Sequence, residues 1–216
     1  MTLSILAAYL IGSVPFAWLL AQRVGAGDLR RVGSGNVGAA NLVRASGLGP
    51  GLVVALLDMG KGAVSVWLAP HVSGHPVAPA AAGLAAIVGH VYPVWLRFHG
   101  GKGVATACGA FSVLMPFASV PALLVFIVTV SLTKYVSLGS VLASITLPSA
   151  AYVIGAPLAS CVAAFAGAGL VIFRHRGNLG RLRAGTERRL SRRSGHGAAG
   201  SPLHTSERAG NGGGRR

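Results

Sequence analysis

Long apolar stretches separated by short polar ones run through the chain. Met1–Gln22, Gly62–Leu96, Gly103–Thr133 and Tyr135–Phe173 contain no Asp, Glu, Lys or Arg. About 20 apolar residues cross a bilayer as a helix. In lipid the backbone is satisfied only within helices or closed barrels, and barrel strands alternate in polarity where these runs do not. The pattern predicts an all-α polytopic membrane protein.

The placement of the charges sets the expected topology. A first span over Leu3–Gln22 is followed by Arg23, Arg30 and Arg31. The positive-inside bias therefore puts the N-terminus outside and the first loop in the cytoplasm. A second span, about Gly51–Pro70, returns outward to His71–Pro76, which has no Lys or Arg. A third, about Val77–Phe98, comes back to Arg97 and Lys102. Gly103–Thr133 read as one crossing would strand Lys134 and the Arg-rich C-terminus outside. A hairpin turning near Met115–Pro116, with short legs, keeps all cations on one face. Tyr135–Phe173 supplies two more crossings around Gly155–Pro157. The expectation is seven transmembrane helices, two of them short, with a cytoplasmic C-terminus. Residues 1–190 form the membrane domain. Residues 191–216, rich in Arg, Gly and Ser, have almost nothing to bury and are expected to be a disordered cytoplasmic tail.

Composition agrees: the chain is 52% hydrophobic and 11% charged, against roughly 25% charged in soluble domains. A formal net charge of +15 would ordinarily raise nucleic acid as a partner. Here topology accounts for the cations, and no nucleic acid is expected. The basic stretch Arg174–Arg193 either binds anionic lipid heads or acts as a topogenic signal. Cys108 and Cys161 lie inside apolar runs without CxxC spacing and read as small core residues. The first apolar run has no basic residue before it, so a cleaved signal is not expected.

Three polar segments fall on the predicted cytoplasmic face. The first runs Gly33-Ser34-Gly35-Asn36 to Asn41 and Arg44. The second runs from Gly89-His90 to Gly100-Gly101-Lys102-Gly103. The third runs from Arg174-His175 through Asn178 and Arg181 to Glu187. Each mixes glycine with a cation and hydrogen-bonding side chains. Glycine lets a backbone turn its N–H groups on an anion at close range, and a helix starting afterwards adds its positive end. Phosphate is the natural ligand, although a flexible loop explains Gly100–Gly103 taken alone, and the GxxxxGK[ST] pattern is not met. Ser34, Asn41 and Arg44 share one face if that stretch is helical; a glycine-rich turn with an N-capping serine is the alternative. Asp58 and Lys61, at i and i+3 within the second span, either pair with each other or touch substrate. Asp28, Asp58, Glu187 and Glu207 are the only acids, too few for a carboxylate metal cage. The histidines lack zinc-ligand spacing, and no metal or other cofactor is expected.

These segments resemble the bacterial membrane glycerol-3-phosphate acyltransferases that use acyl phosphate as donor. Tyr9–Phe16 is similar to the family's first span. Gly33–Arg44 matches GSGNxGATNxxR with Ala40 in place of Thr. Asp58–Gly62 matches DxxKG, Gly89–Thr106 matches GHxxPxxxxFxGGKGVAT, and His175–Glu187 matches HxxNIxRLxxGxE with Leu179 for Ile. The similarity spans about residues 3–190. It implies acyl transfer from acyl phosphate to the sn-1 hydroxyl of glycerol 3-phosphate, giving lysophosphatidate and phosphate. It also implies a bacterial plasma (inner) membrane setting, membrane lipid as surroundings and a monomer as the working unit.

The resemblance assigns catalytic roles to Ser34, Arg44, Lys102, His175 and Asn178. Substrate or phosphate binding falls to Gly33, Gly35, Asn36, Asn41, Asp58, Lys61, Gly100, Gly101, Gly103, Arg181 and Glu187. Lys102 and the N–H groups of Gly100, Gly101 and Gly103 would hold a phosphate, that of glycerol 3-phosphate. Ser34, Asn41 and Arg44 would bind phosphate or polarise the acyl carbonyl. His175 and Asn178 would position the acceptor, with Arg181 as a further anion ligand and Glu187 orienting the basic cluster. The proton of the attacking hydroxyl would go to a substrate phosphate oxygen, with His175 the competing base. An acyl-enzyme on Ser34 is disfavoured for want of a His-Asp partner. The rival from another class is an organic-anion or phosphate transporter, although no internal repeats are found. A lipid-binding scaffold would leave Lys102 and the loop glycines without a use.

Overall fold

The structure is a computed structural model and describes residues Met1–Leu190; the tail expected over 191–216 lies outside the described residues. The chain runs through α1 (Thr2–Ser13), α2 (Phe16–Arg23), α3 (Ala39–Ser46), α4 (Leu48–Val72), α5 (Ala78–Val91), a 3-10 turn (Val94–Leu96), α6 (Val104–Leu114), α7 (Pro116–Thr133), α8 (Val136–Val153), α9 (Leu158–Arg174) and α10 (Arg176–Arg183). Among the described residues five stretches are long and apolar enough to cross a membrane: Thr2–Arg23, Leu48–Val72, Ala78–Leu96, Pro116–Thr133 and Val136–Val153. Leu158–Arg174 joins them if counted with α10, which continues it after a bend of 55°.

Two expectations are refined. The first span breaks at Val14–Pro15, because proline carries no N–H to continue the ladder and its ring crowds the preceding turn. The hairpin does turn at Met115, but its legs are unequal. α6 has 11 residues, roughly 17 Å at 1.5 Å per residue, well short of a bilayer core. α7 has 18 and is not short. The turn sits close to the polar loop that starts α6, so the first leg alone is truncated.

Apolar side chains remain on the outside of the bundle, with Phe117 at 82% and Leu132 at 78% exposure, a surface made for lipid. The interior is built of small residues. Ala80, Ala118, Ala151, Ala163 and Ala164 surround Ile87, Phe111 and Leu147 where α5, α6, α7, α8 and α9 meet. Between apolar helices in lipid there is little hydrophobic drive, so close backbone approach through small residues does the work. α4 crosses α6 at two glycines. A Cβ on Gly62 would fall on the Thr106 carbonyl, and one on Gly109 on the Met59 carbonyl. α1 crosses α5 in the same manner, with Gly12 on Ala86 and Gly89 on the backbone of Tyr9 and Ser13.

These crossings position the loops at the helix ends. Gly62→Leu should therefore lower stability by about 2 kcal/mol or more through overpacking, read as thermal unfolding in detergent. Gly60→Leu, on the same helix with open space at its Cβ, should leave the midpoint nearly unchanged.

Candidate active site

The first polar loop is folded around one amide. Asn41, in the first turn of α3, is 1% exposed. Its Nδ2 donates to the Leu29 carbonyl at 3.0 Å and the Val32 carbonyl at 2.9 Å. Its Oδ1 accepts from the Ser34 backbone N–H at 2.8 Å and the Ser34 hydroxyl at 3.1 Å. Gly33 has φ +60°, and a Cβ there would land on Asn41 Oδ1, so the loop closes only with glycine at that place. Ser34 and Asn41 therefore do not share a helix face, because α3 begins at Ala39; the loop folds back to bring them together. The Asn41 amide has both donors and its acceptor occupied. It positions Ser34 and has nothing left for a substrate. Gly35, with φ +70°, donates its N–H to Val32 at 3.0 Å and shapes the same turn, while Asn36 lines the cavity described below. Arg44 bonds the Ala40 carbonyl at 3.3 Å, and its buried Nε has no partner among the described residues.

The second loop corrects the phosphate-loop expectation. The N–H of Gly100 donates to the Val91 carbonyl at 3.1 Å, and that of Gly101 to the His90 carbonyl at 3.2 Å. Both are spent on the C-terminal carbonyls of α5, the groups a helix end leaves without partners. Side chains there would collide with the His90 carbonyl and ring and with Pro93. Gly100 and Gly101 are required for packing rather than for anion capture. Gly103 is different: it has φ +84° and caps α6, whose first residues, Val104 and Ala105, line the cavity beside Lys102.

The third segment supplies a hydrogen-bonded chain. Lys102 Nζ donates to Asn178 Oδ1. Asn178 Nδ2 donates to Glu187 Oε1 at 2.6 Å, Ser137 Oγ to the same oxygen at 2.9 Å, and Arg181 Nε to Oε2 at 2.7 Å. Burial pulls the Glu187 carboxyl upward, but these three donors outweigh it and hold it below its ordinary value. Burial brings the Lys102 ammonium down to about 8, with Arg181, Arg44 and Arg174 adding to the fall and Glu187 opposing it. His175, just past the end of α9, bonds the Val171 carbonyl through Nδ1 at 2.8 Å. A carbonyl has no proton to give, so Nδ1 is the donor and Nε2 keeps a lone pair. Burial and the neighbouring Lys102 hold this imidazole down at about 4.

All three segments face one cavity of about 550 Å³. Its polar end holds Ser34, Arg44, Lys102, His175, Asn178, Arg181 and Glu187. From there it continues as an apolar slot between α4, α6, α7 and α8, past Leu52, Ala55, Met59, Phe111, Leu123 and Leu147. An anion cradle opening into a greasy slot suits an amphiphile with an anionic head beside a small anion. Among the described residues Ser34 has no base at its hydroxyl, which bonds an amide oxygen that takes no proton.

Asp58 and Lys61 form a buried ion pair at 2.8 Å. Lys61 Nζ also donates to the Val14 carbonyl at 2.9 Å, one of the groups released by the Pro15 break. Asp58 Oδ1 lies 3.5 Å from His90 Nδ1. Lys61 does not line the main cavity; Asp58 and His90 border it. The pair thus ties α4 to the α1–α2 break and to the end of α5 that carries the Lys102 loop. Sequence reasoning missed Ser137, an isolated serine opening an apolar helix, and His90, which sits inside a quoted motif with no assigned role. Arg188, which also lines the cavity, looked like any other arginine of the basic stretch.

Asp58→Asn strands a buried Lys61 and should destabilise by about 3–5 kcal/mol. Asp58→Asn combined with Lys61→Met should recover much of that loss in a thermal unfolding assay. A double variant that is stable yet unable to bind the anion would assign Asp58 to substrate instead.

Residues 2–185 match the family model described as glycerol-3-phosphate acyltransferase. A glycerol-3-phosphate acyltransferase of Shouchella clausii is 42% identical over 196 residues, covering 88% of this chain and 96% of that relative. One of Thermus thermophilus is 43% identical over 190 residues, covering 88% and 95%. The crystal structure of PlsY, an integral membrane glycerol 3-phosphate acyltransferase, in its glycerol 3-phosphate form, is similar with a TM-score of 0.84 at 39% identity, covering 88% of this chain and 95% of that one. Its lysophosphatidic acid form gives 0.79 at 36% identity over the same shares. Matched along most of its length in both sequence and fold, the chain belongs to the glycerol-3-phosphate acyltransferase family.

Proposed function

We propose that this integral membrane protein transfers a fatty acyl group from acyl phosphate to the sn-1 hydroxyl of glycerol 3-phosphate. Lysophosphatidate and inorganic phosphate are the products. The observation that carries the reading is one cavity joining half-buried Lys102 and Arg44 to an apolar slot. The slot takes the acyl chain, and the cationic end gathers the two phosphates. Relatives named for acyl transfer to glycerol 3-phosphate, and PlsY forms with glycerol 3-phosphate and lysophosphatidic acid, support the acceptor and the product. The choice of acyl phosphate rests on the cation-lined head of the slot, which suits a donor whose leaving group is itself phosphate. We place the site on the cytoplasmic face of a bacterial plasma membrane, with seven membrane helices and the N-terminus outside, because the Arg-rich loops then share one side. We take the working unit to be a monomer.

In this mechanism the acceptor hydroxyl attacks the acyl carbonyl. A new carbon–oxygen bond forms, the bond from carbonyl carbon to phosphate oxygen breaks, and the hydroxyl proton passes to a phosphate oxygen. A mixed anhydride is already activated, so alignment and stabilisation of developing negative charge supply most of the acceleration. Lys102 and Arg44 face that charge, and the N–H of Gly103 adds to the Lys102 side. The Ser34 hydroxyl turns from Asn41 Oδ1, which keeps the Ser34 N–H, to donate to the acyl phosphate head. Asn178 and Glu187 hold Lys102 in place, and Arg181 fixes Glu187. His175 accepts a hydrogen bond from the acceptor through Nε2. An imidazole at about 4 is a poorer base than a phosphate monoester dianion, whose conjugate acid has a pKa near 6, so the substrate carries its own base.

Purified protein with acyl phosphate and labelled glycerol 3-phosphate, assayed with a metal chelator present, should release lysophosphatidate; uptake into vesicles without that product would favour the transporter. Lys102→Ala should lower kcat/KM by about 10²-fold or more, the scale for losing one preorganised charge-stabilising donor. Because Lys102 is charged below about 8 and neutral above, kcat/KM should fall with rising pH beyond 8, approaching tenfold per pH unit. Lys102→Arg stays charged, and its remaining activity should not show that fall. A wild-type profile flat to pH 10 would remove Lys102 from the anion site. His175→Gln should retain turnover within about tenfold of wild type. Complete loss with intact glycerol 3-phosphate binding would make His175 the base.

A further inference from the structure

We propose that Arg188 is a further ligand for the phosphate of glycerol 3-phosphate, at the rim of the cavity. The inference rests on the acyl-transfer reading above and adds a residue lying beyond the stretch 2–185 that matches the family model. Arg188 lines the cavity. Its Nη1 lies against the first polar loop, 3.8 Å from where a Cβ on Gly33 would stand. Arg44 lines the same cavity. Two like guanidiniums facing one opening repel each other until an anion sits between them.

The segment that carries Arg188 is anchored on both sides. Before it, Glu187 takes hydrogen bonds from Ser137, Asn178 and Arg181. After it, Arg189 Nε bonds the Tyr135 hydroxyl at 3.2 Å, and the Leu190 N–H bonds the Lys134 carbonyl at 2.7 Å. The backbone is thereby strapped from α10 to the turn between α7 and α8. The side chain between the two anchors projects over the polar end while remaining exposed. A guanidinium held this way suits the fork geometry of a phosphate.

The shape of the acceptor decides which phosphate it meets. Glycerol 3-phosphate carries its reacting hydroxyl and its phosphate at opposite ends of three carbons. With the hydroxyl at the acyl carbonyl, at the top of the slot, its phosphate lies outward toward the aqueous rim. The phosphate of the donor is bonded to the carbonyl and lies deeper. An exposed rim arginine therefore meets the acceptor.

The test uses the full chain in detergent, with glycerol 3-phosphate binding measured directly by calorimetry beside steady-state kinetics. Arg188→Ala should weaken glycerol 3-phosphate binding and raise its KM by roughly 10- to 100-fold, the range for a charge-assisted hydrogen bond. Its kcat should stay within threefold and the KM for acyl phosphate should be unchanged. Arg188→Lys should recover part of the loss. Added salt should raise the KM for glycerol 3-phosphate more in wild type than in Arg188→Ala, since an exposed contact is screened. Arg183→Ala, an exposed arginine of α10, should match wild type. Unchanged binding and KM in Arg188→Ala, or a rise confined to acyl phosphate, would overturn the assignment. Binding that depends on Arg188 in a chain that forms no lysophosphatidate would keep the inference and discard the acyl-transfer reading.

Discussion

A half-buried ammonium at the head of an apolar slot is the interaction on which the site turns. Lys102 is kept in position by the amide of Asn178, which is kept in position by the carboxylate of Glu187. Each link satisfies a group that burial would otherwise penalise. Glu187 does more than neutralise. By taking Ser137, Asn178 and Arg181 together, it joins α10 to α8 and leaves the net charge of the cavity end positive. The polar end is assembled from engaged polar groups, while Arg44, whose Nε has no partner among the described residues, and the first residues of α6 line the same cavity.

A second constraint lies beneath it. Polar backbone at membrane depth has to be satisfied within the protein, and the Pro15 break exposes carbonyls in the first span. Lys61 reaches across to Val14 and is balanced by Asp58, which in turn approaches His90. From His90 the backbone bonds of Gly100 and Gly101 lead directly to Lys102. The broken helix, the intramembrane ion pair and the glycine loop therefore form one structural device. It sets where the Lys102 loop begins. Glycines at the α4–α6 and α1–α5 crossings hold these helices at the separation the device needs.

Much of this was legible in the sequence. The apolar runs implied a helical membrane bundle, and the cations between them implied a shared polar face. The motifs marked Ser34, Arg44, Lys102, His175 and Asn178, all of which line one cavity. What stayed hidden had one cause: residue type and spacing indicate capacity for hydrogen bonding but not where the capacity goes. Asn41 looked like an anion ligand and proved to be the organiser of its own loop. Gly100 and Gly101 looked like phosphate donors and proved to close the end of α5. Ser137 carried no signal at all, because a serine in an apolar helix most often bonds its own backbone, as Ser140 and Ser144 do.

The amino-acid order alone determined the membrane class, the number of polar segments and the residue types able to hold phosphate. These follow from solvent preference and local chemistry. Tertiary structure decided which of those groups are consumed by the fold and which remain for a substrate. That division depends on contacts between distant segments, such as Lys102 with Asn178, 76 positions apart, and no local pattern records them.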